Sequence, residues 1–541
     1  MPHHPSWLLA GAVVAVAVGS CCPLHAGEPT VPVWQPFEAT FSSSQIDANP
    51  FTDVEADVIF ISGSETWKMP AFWAGGDDWT VRFAPPKPGT YRYRVVAGGS
   101  ANGGFAIGER SFTATATATA EPNRLFLQGF PLVAADGRHF AHADGTPFFW
   151  LGDTWWKCLS RRLSFEDFQE LATNRARTGF TVVQIVIGPY PDEAMLQPGW
   201  ETDGGMPYRD RAFREVNLPA FASIDRRIRC LVDAGLVPAI VGGWGRPQAG
   251  GKSTLDQVGL EGFTRHWRHL IARYGALPVI WIVGGEVKDA YGPWSEVAAF
   301  VRLTDPYGHP LCHHAPGDPR TTLRDQEAFD FDMVAIGHDG QRTIGTTLEL
   351  VKASRAREPT RPVVCGEACY ERHMQTNFED VQRQLFWSLL LSGAAGHTYG
   401  AAGIWQAGVE GDPGIEPVYD WATWREGMAY PGAIQLGLGR RLLEEHEWWR
   451  FEPRPDWCEG DCFAAGIPGE VRILYRPKRK IYDWQGPVVK QIEPDVRYEA
   501  SYFDPVRGRR FNVGPVVAPT GEFRAPRLPA PQDWVLVLRR R

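Results

Sequence analysis

The alternation of apolar and polar positions changes rhythm along the chain. Between Val33 and about Thr113 it has a period of two: in WTVRF (79–83) Trp79, Val81 and Phe83 share one face and Thr80 and Arg82 the other, and YRYRV (91–95) repeats the pattern. Two such runs around PPKPG predict a hairpin with one buried face. A small β-sandwich is expected here, ending in TATATATA, a stretch that is either a last edge strand or a linker.

From about Leu125 to Gly439 wholly apolar runs alternate with amphipathic helices. The spacing predicts a helix over 164–178, opened by Ser164 and Asp167 in a capping-box arrangement, with Phe165, Phe168 and Leu171 on one side and Gly179 as its stop. A second helix presents Phe221, Ile224, Ile228 and Leu231 before Gly235, and a third Phe263, Trp267, Leu270, Ile271 and Tyr274 before Gly275. Each of these glycines suits a left-handed position just past a helix end. The strands that follow are apolar on both faces, as parallel strands covered by helices must be. Eight are found: PFFWLGDT, TVVQIVIG, VPAIVGGW, PVIWIVGGE, PLCHHAP, DMVAIGHDG, RPVVCGEACYE and GAAGHTYGAAGIW. Eight in about 300 residues predict a (β/α)8 TIM barrel. A doubly wound sheet has the same rhythm, but no Gly-rich phosphate loop follows the first strand. Beyond about Arg440 the alternation returns in EVRILYRP, VRYEASYFDP and DWVLVLRR, which predict a second β-sandwich. The expected architecture is multidomain: a sandwich over residues 30–120, the barrel over 125–440 and a sandwich over 441–541.

Composition keeps that picture and narrows the chemistry. A chain of 541 residues exceeds what one core can organise. The aromatic load is heavy, with 22 Trp, 29 Phe and 15 Tyr, and aromatic faces serve either core packing or sugar stacking. The formal net charge is −8 and no basic stripe runs along any segment, which argues against nucleic acid as a partner. The N-terminus has an apolar run, 7–18, followed by small residues; it is too short for a membrane span and suits a secretory signal. Cleavage is expected after Ala26, which makes residues 1–26 the signal peptide. The alternative is a lipoprotein-type cut before Cys21, at the imperfect lipobox Val18-Gly19-Ser20-Cys21, leaving a lipid anchor. Of nine cysteines, losing Cys21 and Cys22 leaves seven (9 − 2), an odd and scattered set that excludes a disulfide scaffold, although Cys458 and Cys462 could pair locally. A soluble exported protein is expected: periplasmic, extracellular or at the cell surface.

In a barrel of this kind chemistry collects at the C-terminal strand ends. Those ends offer Asp153, Gln184, Trp244, Glu286, the pair His313 and His314, His338, Glu367 with Glu371, and His397 with Tyr399. The fourth and seventh strands share a design, PVIWIVGGE and PVVCGE: an apolar run, glycine, then Glu286 or Glu367. The glycines are expected to leave room for a ligand beside each carboxylate. Two carboxylates facing each other across a barrel mouth suit glycoside hydrolysis; a retaining mechanism needs them about 5–5.5 Å apart, one as nucleophile and the other as acid, then base. Like-charge coupling raises the pKa of the less solvated one and keeps it protonated. Barrel glycosidases generally use the fourth-strand carboxylate as acid/base and the seventh-strand glutamate as nucleophile, which assigns Glu286 and Glu367.

A single glutamate past a buried strand more often caps a helix or forms a salt bridge; the matched pair carries the assignment. His313, His314, His338 and His397 are expected to bond sugar hydroxyls, or to be satisfied structural histidines. They could instead suggest a metal, but metal-dependent barrel hydrolases usually need His-x-His on the first strand, where this chain has GDT. No metal or cofactor is therefore expected. Asp153 either binds substrate or ties down the first-strand loop. Trp155, Trp156 and Trp244 are core or sugar platform, with Trp244 inclined to platform. Tyr399 is a natural hydrogen-bond partner for the nucleophile's carboxylate. Gln184 and Glu371 complete the expected binding set.

The segments GRHFAHADGTPFFWLGDTWW, TGFTVVQIVIG, VIWIVGGE, CGEACYE and LLSGAAGHTYGAAGIWQ, in that order, resemble the apiosidase-like glycoside hydrolases over roughly residues 130 to 440. NPFTDVEADVIF and WTVRFAPPKPGTYRYRV resemble the sandwich that commonly precedes that barrel, and YFDPVRGRR with DWVLVL a small sandwich that carries the name of a collagen-binding domain. The resemblance implies hydrolysis of glycosidic bonds in pectin-type plant cell-wall side chains, with apiose as the type sugar, an oligo- or polysaccharide partner and no cofactor. The family pattern carries Asp in a GGD motif where this chain has Glu286. The extra methylene moves the carboxyl about one bond length further into the cleft. The rival is a non-catalytic carbohydrate-binding or adhesion protein with a degenerate barrel.

Overall fold

All eight expected barrel strands form: β1 Trp150–Thr154, β2 Val182–Val186, β3 Val237–Val241, β4 Ile280–Gly285, β5 Leu311–His314, β6 Asp332–Gly337, β7 Val363–Ala368 and β8 Gly396–Tyr399. They are parallel, in the order β5-β4-β3-β2-β1-β8-β7-β6. The ring closes from β5 to β6 through a bridge between Ala315 and Val334 and the bond from Ala335 N–H to Ala315 O, 3.0 Å. The computed structural model describes residues 28–44, 49–98, 104–105, 108–118, 120–191, 193, 195–246, 252–411, 420–478 and 483–541. The expected signal segment, with Cys21, Cys22 and the cut after Ala26, lies outside the described residues. Among the described residues no helix is long and apolar enough to cross a membrane.

The helices that cover the barrel follow the apolar spacing. In α1, Phe165–Thr178, Ser164 Oγ accepts from Asp167 N–H at 3.0 Å, while the Asp167 carboxylate bonds Arg425 at 2.7 Å rather than closing a capping box. Gly179 ends α1 at φ 107° and Gly235 follows α2, Leu218–Asp233, at φ 79°. Gly275, after α3, Leu260–Tyr274, departs from expectation. It has no left-handed φ, and its lack of a side chain answers a steric need: a β-carbon there would stand 2.7 Å from Ile271 O.

Two compact units make up the chain: residues up to Glu121 with the short segments 268–277 and 304–306, and the remainder. The first holds a β-sandwich, but the expected hairpin is absent. Asp78–Phe83 pairs with Phe37–Ser42 and Phe72–Gly75 in a three-stranded sheet, whereas Gly89–Gly98 pairs with Glu55–Ser62 and Arg110–Thr115 in a five-stranded one. The proline-rich PPKPG, poor in N–H donors, carries the chain from one sheet to the other rather than turning it back in register. The apolar faces therefore meet across the core, where Phe60 stacks on Phe83 and Phe112 on Phe37, each at 4.1 Å. The start of TATATATA is strand, through Thr115, and residues 116–118 lie beyond its end.

In the second unit, helix α7, Pro431–Glu444, runs through the boundary expected at 441, and a six-stranded antiparallel sheet begins at Glu452. That sheet is fastened to helix α6, Glu379–Leu390, by a buried fork: Arg383 Nε and Nη2 donate to Asp533 at 2.9 and 2.7 Å, and Tyr475 donates to the same carboxylate at 3.1 Å. Trp387 stacks on Tyr475 beside it. Asp533→Ala strands a buried guanidinium, so urea unfolding should show a loss of about 3–5 kcal/mol. Cutting the exposed Asp167–Arg425 pair with Asp167→Ala should leave the urea midpoint almost unmoved. Cys458 and Cys462 are both free thiols; Cys458 Sγ–H donates to Cys462 O at 3.1 Å.

Candidate active site

Both candidate carboxylates follow an irregularity in their strand. Between β4 and β5 the register advances from Ile282 to Gly285 on one side but only from Cys312 to His314 on the other. Between β7 and β6 it advances from Cys365 to Glu367 against Val334 to Ala335. Each of β4 and β7 thus carries one extra residue, a bulge that reverses side-chain alternation beyond it. Cys365 is in register with His397, which packs its ring against Phe386 of α6 in the helix layer. Were Gly366 an ordinary paired residue, Glu367, two positions past Cys365, would take that same side; as the extra residue of a bulge it turns the carboxylate into the barrel mouth.

Glycine is required at both bulges by crowding from the protein itself. A β-carbon on Gly366 would strike Met333, one on Gly284 would meet Trp294 at 2.6 Å, and one on Gly285 would strike the ring of Trp244. The space beside these glycines is filled by side chains and is not left for a ligand, contrary to the sequence expectation. Glu286 itself is left-handed, at φ 48°, a conformation that costs a non-glycine residue about 1–3 kcal/mol.

Glu286 and Glu367 line one cavity of about 420 Å³, within the usual range for a small-molecule site. Its walls include Trp156, Trp244, Arg246, His338, Tyr370 and Trp405. Trp244 Nε1 donates to Glu286 Oε2 at 3.4 Å, and an Arg246 nitrogen lies 3.7 Å from the same oxygen. Burial pushes the Glu286 carboxyl above its ordinary pKa, the negative Glu367 adds to that, and His314, Arg246 and Trp244 only partly offset it. Glu367 is driven the opposite way. Burial alone would raise it, but hydrogen bonds and charge from His314 (Nε2 to Oε2, 3.0 Å) and His338 (Nε2 to Oε1, 3.2 Å) hold it well below the usual carboxylate range. Tyr370 N–H donates to His338 Nδ1 at 3.1 Å, so in the neutral ring the proton sits on Nε2 and points at Glu367. One acid is thereby pushed towards its protonated form and its neighbour towards the ionised one, the division of labour that acid–base chemistry on two carboxylates requires.

The remaining expected site residues separate by which way their strand faces. His314 and His338 hold Glu367, and Trp244 lines the cavity beside Glu286. Asp153 faces the helix layer, where its carboxylate takes Arg175 Nε at 2.6 Å, Trp155 Nε1 at 2.8 Å and Thr154 N–H at 2.9 Å. It ties down the first-strand loop and buries Trp155 with it, against Phe168 of α1. His397 and Tyr399 lie on the same outer side of β8. Tyr399 donates to Glu371 at 2.6 Å rather than to Glu367, and Glu371 also accepts from Gly432 N–H at 3.0 Å in the first turn of α7. Glu371 is thus a helix-terminal carboxylate, with its pKa lifted to about 7 by burial. Gln184 points into the barrel interior but bonds protein, donating to Gly366 O at 2.7 Å.

The cavity also contains residues that strand-end reading did not select. The phenol beside Glu367 is Tyr370, which hydrogen-bonds it and accepts from Trp156 Nε1 at 2.9 Å. Arg246, His373 and Trp405 complete the rim; Asp420 fixes the latter two, accepting from His373 Nδ1 at 2.7 Å and Trp405 Nε1 at 2.9 Å. Their signals, CYE and GIWQ, were in the sequence, but in loops that alternation does not orient. Among the described residues no three His, Cys, Asp or Glu side chains converge to hold a metal ion.

Because Arg246 draws the Glu286 pKa down, Arg246→Gln should move the alkaline limb of kcat/KM to higher pH. A pH–rate series on both forms checks this.

Comparison with known proteins agrees with the architecture. Over the full length, the chain is similar to a candidate glycoside hydrolase from Bacteroides vulgatus ATCC 8482, at 19% identity and a TM-score of 0.73, with 95% of this chain and 100% of that one covered. It is also similar to a family 5 glycoside hydrolase of the same organism, at 21% identity and a TM-score of 0.62, covering 76% and 94% respectively. At these identities the likeness establishes the fold alone. No curated protein matches the chain. Residues 30–98 match DUF5060, a domain of unknown function. Residues 134–450 match the catalytic domain of the apiosidase-like family. With more than half of its length, and both cavity glutamates, inside that match, the chain belongs to the apiosidase-like family.

Proposed function

We propose that the protein is an exported, retaining glycoside hydrolase that cleaves pectin-type plant cell-wall polysaccharide, with Glu367 as nucleophile and Glu286 as acid and then base. The single observation that carries this is the opposed tuning of two carboxylates on one cavity wall: Glu367 held ionised by His314 and His338, Glu286 pushed towards the protonated form by burial and by Glu367. In the first step the Glu367 carboxylate attacks the anomeric carbon while Glu286 gives its proton to the departing oxygen. In the second, Glu286, now ionised, takes a proton from water as that water displaces Glu367. His314, His338 and Tyr370 orient the nucleophile throughout, and Trp244 steadies Glu286. The match to the apiosidase-like catalytic domain supports a saccharide substrate of the pectin side-chain type, and the apolar N-terminal run supports export.

Incubation with rhamnogalacturonan-type pectin and defined side-chain oligosaccharides, followed by chromatography of released sugars and NMR of the fresh product's anomeric configuration, tests the reading. Release of a sugar with retained configuration is expected. Binding without product would favour a carbohydrate-binding protein, and inverted product would remove the nucleophile role from Glu367.

A further inference from the structure

The bulge that turns Glu367 into the cavity is gripped by one side chain from the far side of the ring. Gln184 sits on β2, in register with Thr154 and Ala239, fully buried in the barrel interior. It reaches past β1 and β8 to donate from Nε2 to the Gly366 carbonyl at 2.7 Å. Gly366 is the extra residue, and its neighbours leave it no freedom: Met333 blocks any side chain there. An extra residue in a strand leaves its own peptide outside the regular ladder, and a buried carbonyl without a donor is costly. Gln184 supplies that donor from outside β6–β8. We propose that Gln184 is a positioning residue for Glu367: by holding the Gly366 carbonyl it fixes the bulge, and with it the direction in which the carboxylate meets His314, His338 and Tyr370.

The inference rests on the nucleophile role given to Glu367 above, but the clamp itself can be read without turnover. Gln184 does not line the cavity, so its loss should leave substrate affinity alone and change the chemistry. In Gln184→Leu, of similar volume and without a donor, kcat should fall about 10- to 100-fold with KM within about threefold, the size expected when a reacting group is displaced by roughly an ångström. Gln184→Glu can donate only while its carboxyl is protonated, so its activity should fall as pH rises through the pKa of that buried group, recover on the acid side, and its pH optimum should move down.

The substrate-free readout is ¹⁵N-histidine NMR of the whole protein. The His338 and His314 ring signals should shift in Gln184→Leu and return towards wild type in Gln184→Glu at low pH. Wild-type kcat in Gln184→Leu with unmoved histidine signals would overturn the proposal. So would a loss in both variants, at every pH, that simply tracks a loss of thermal stability. If Gln184→Leu does not fold, the pH dependence of Gln184→Glu decides alone: a profile parallel to wild type refutes the clamp. Full activity of Glu367→Gln would instead refute the nucleophile role, leaving the histidine shifts to judge the clamp separately.

Discussion

Glu367→Gln should lose more than about 10⁴-fold in kcat while its fold and its affinity for saccharide persist. The amide keeps the shape and can still meet His314 and His338, so circular dichroism and thermal melting should match wild type, but it cannot form the bond to the anomeric carbon. A second consequence is electrostatic. The negative charge of Glu367 is one of the forces raising Glu286, so its removal should lower the Glu286 pKa. A carboxyl-directed NMR titration of the variant would detect this. A variant that kept turnover near the wild-type rate, or a Glu286 pKa that failed to drop, would contradict the pairing of these two groups.

Glu286→Gln should reduce kcat/KM on natural substrate by about 10²–10⁴-fold, the usual worth of a positioned proton donor. The loss should depend on the leaving group. An aryl glycoside with an acidic phenol leaves without a proton, so its first step should be nearly intact and the slow second step should let a covalent sugar adduct accumulate, visible as a mass increase on the intact protein. The pH profile should change shape as well. Glu286 has its pKa raised above the ordinary value, so the wild-type enzyme should be active while Glu286 is protonated and should lose activity as pH rises through that raised pKa. The acid limb, if set by protonation of Glu367, should lie well below the usual carboxylate range. In Glu286→Gln the alkaline limb due to this group should vanish. An unchanged bell would remove Glu286 from the acid role.

The barrel was legible because its strands are apolar on both faces and its helices begin and end on readable residues such as Ser164 and Gly179. The carboxylate pair was legible for a related reason: a glycine before a glutamate at the end of a buried run has few structural uses, and it marked a bulge twice. What strand-end reading could not supply was direction. Asp153, His397 and Tyr399 occupy the right ends of the right strands but face the helices, because an alternating side chain one position along points the other way. Only the extra residue at Gly366 spares Glu367 the same fate, and no local sequence rule announces that a glycine will be inserted rather than paired. Tyr399 and Tyr370 were confused for this reason: both neighbour the site in sequence, but only Tyr370 lies beyond the bulge. The N-terminal strands failed differently. The alternation in WTVRF and YRYRV gave each run a buried face but did not name its partner strand, and the prolines between them separated the two into different sheets.

The fork between Arg383 and Asp533 has a practical corollary for dissecting the chain. The family match stops at residue 450, which invites trimming the gene there to obtain a minimal enzyme. Such a trimmed polypeptide would strip Trp387 of its stacking partner and take from Arg383 the carboxylate that holds it bidentately, leaving it only Gln435 as a hydrogen-bond partner and the charge of Asp380. It should aggregate or be degraded during expression. The smallest piece that folds around the two glutamates therefore ends past Asp533, at the last strand of the chain.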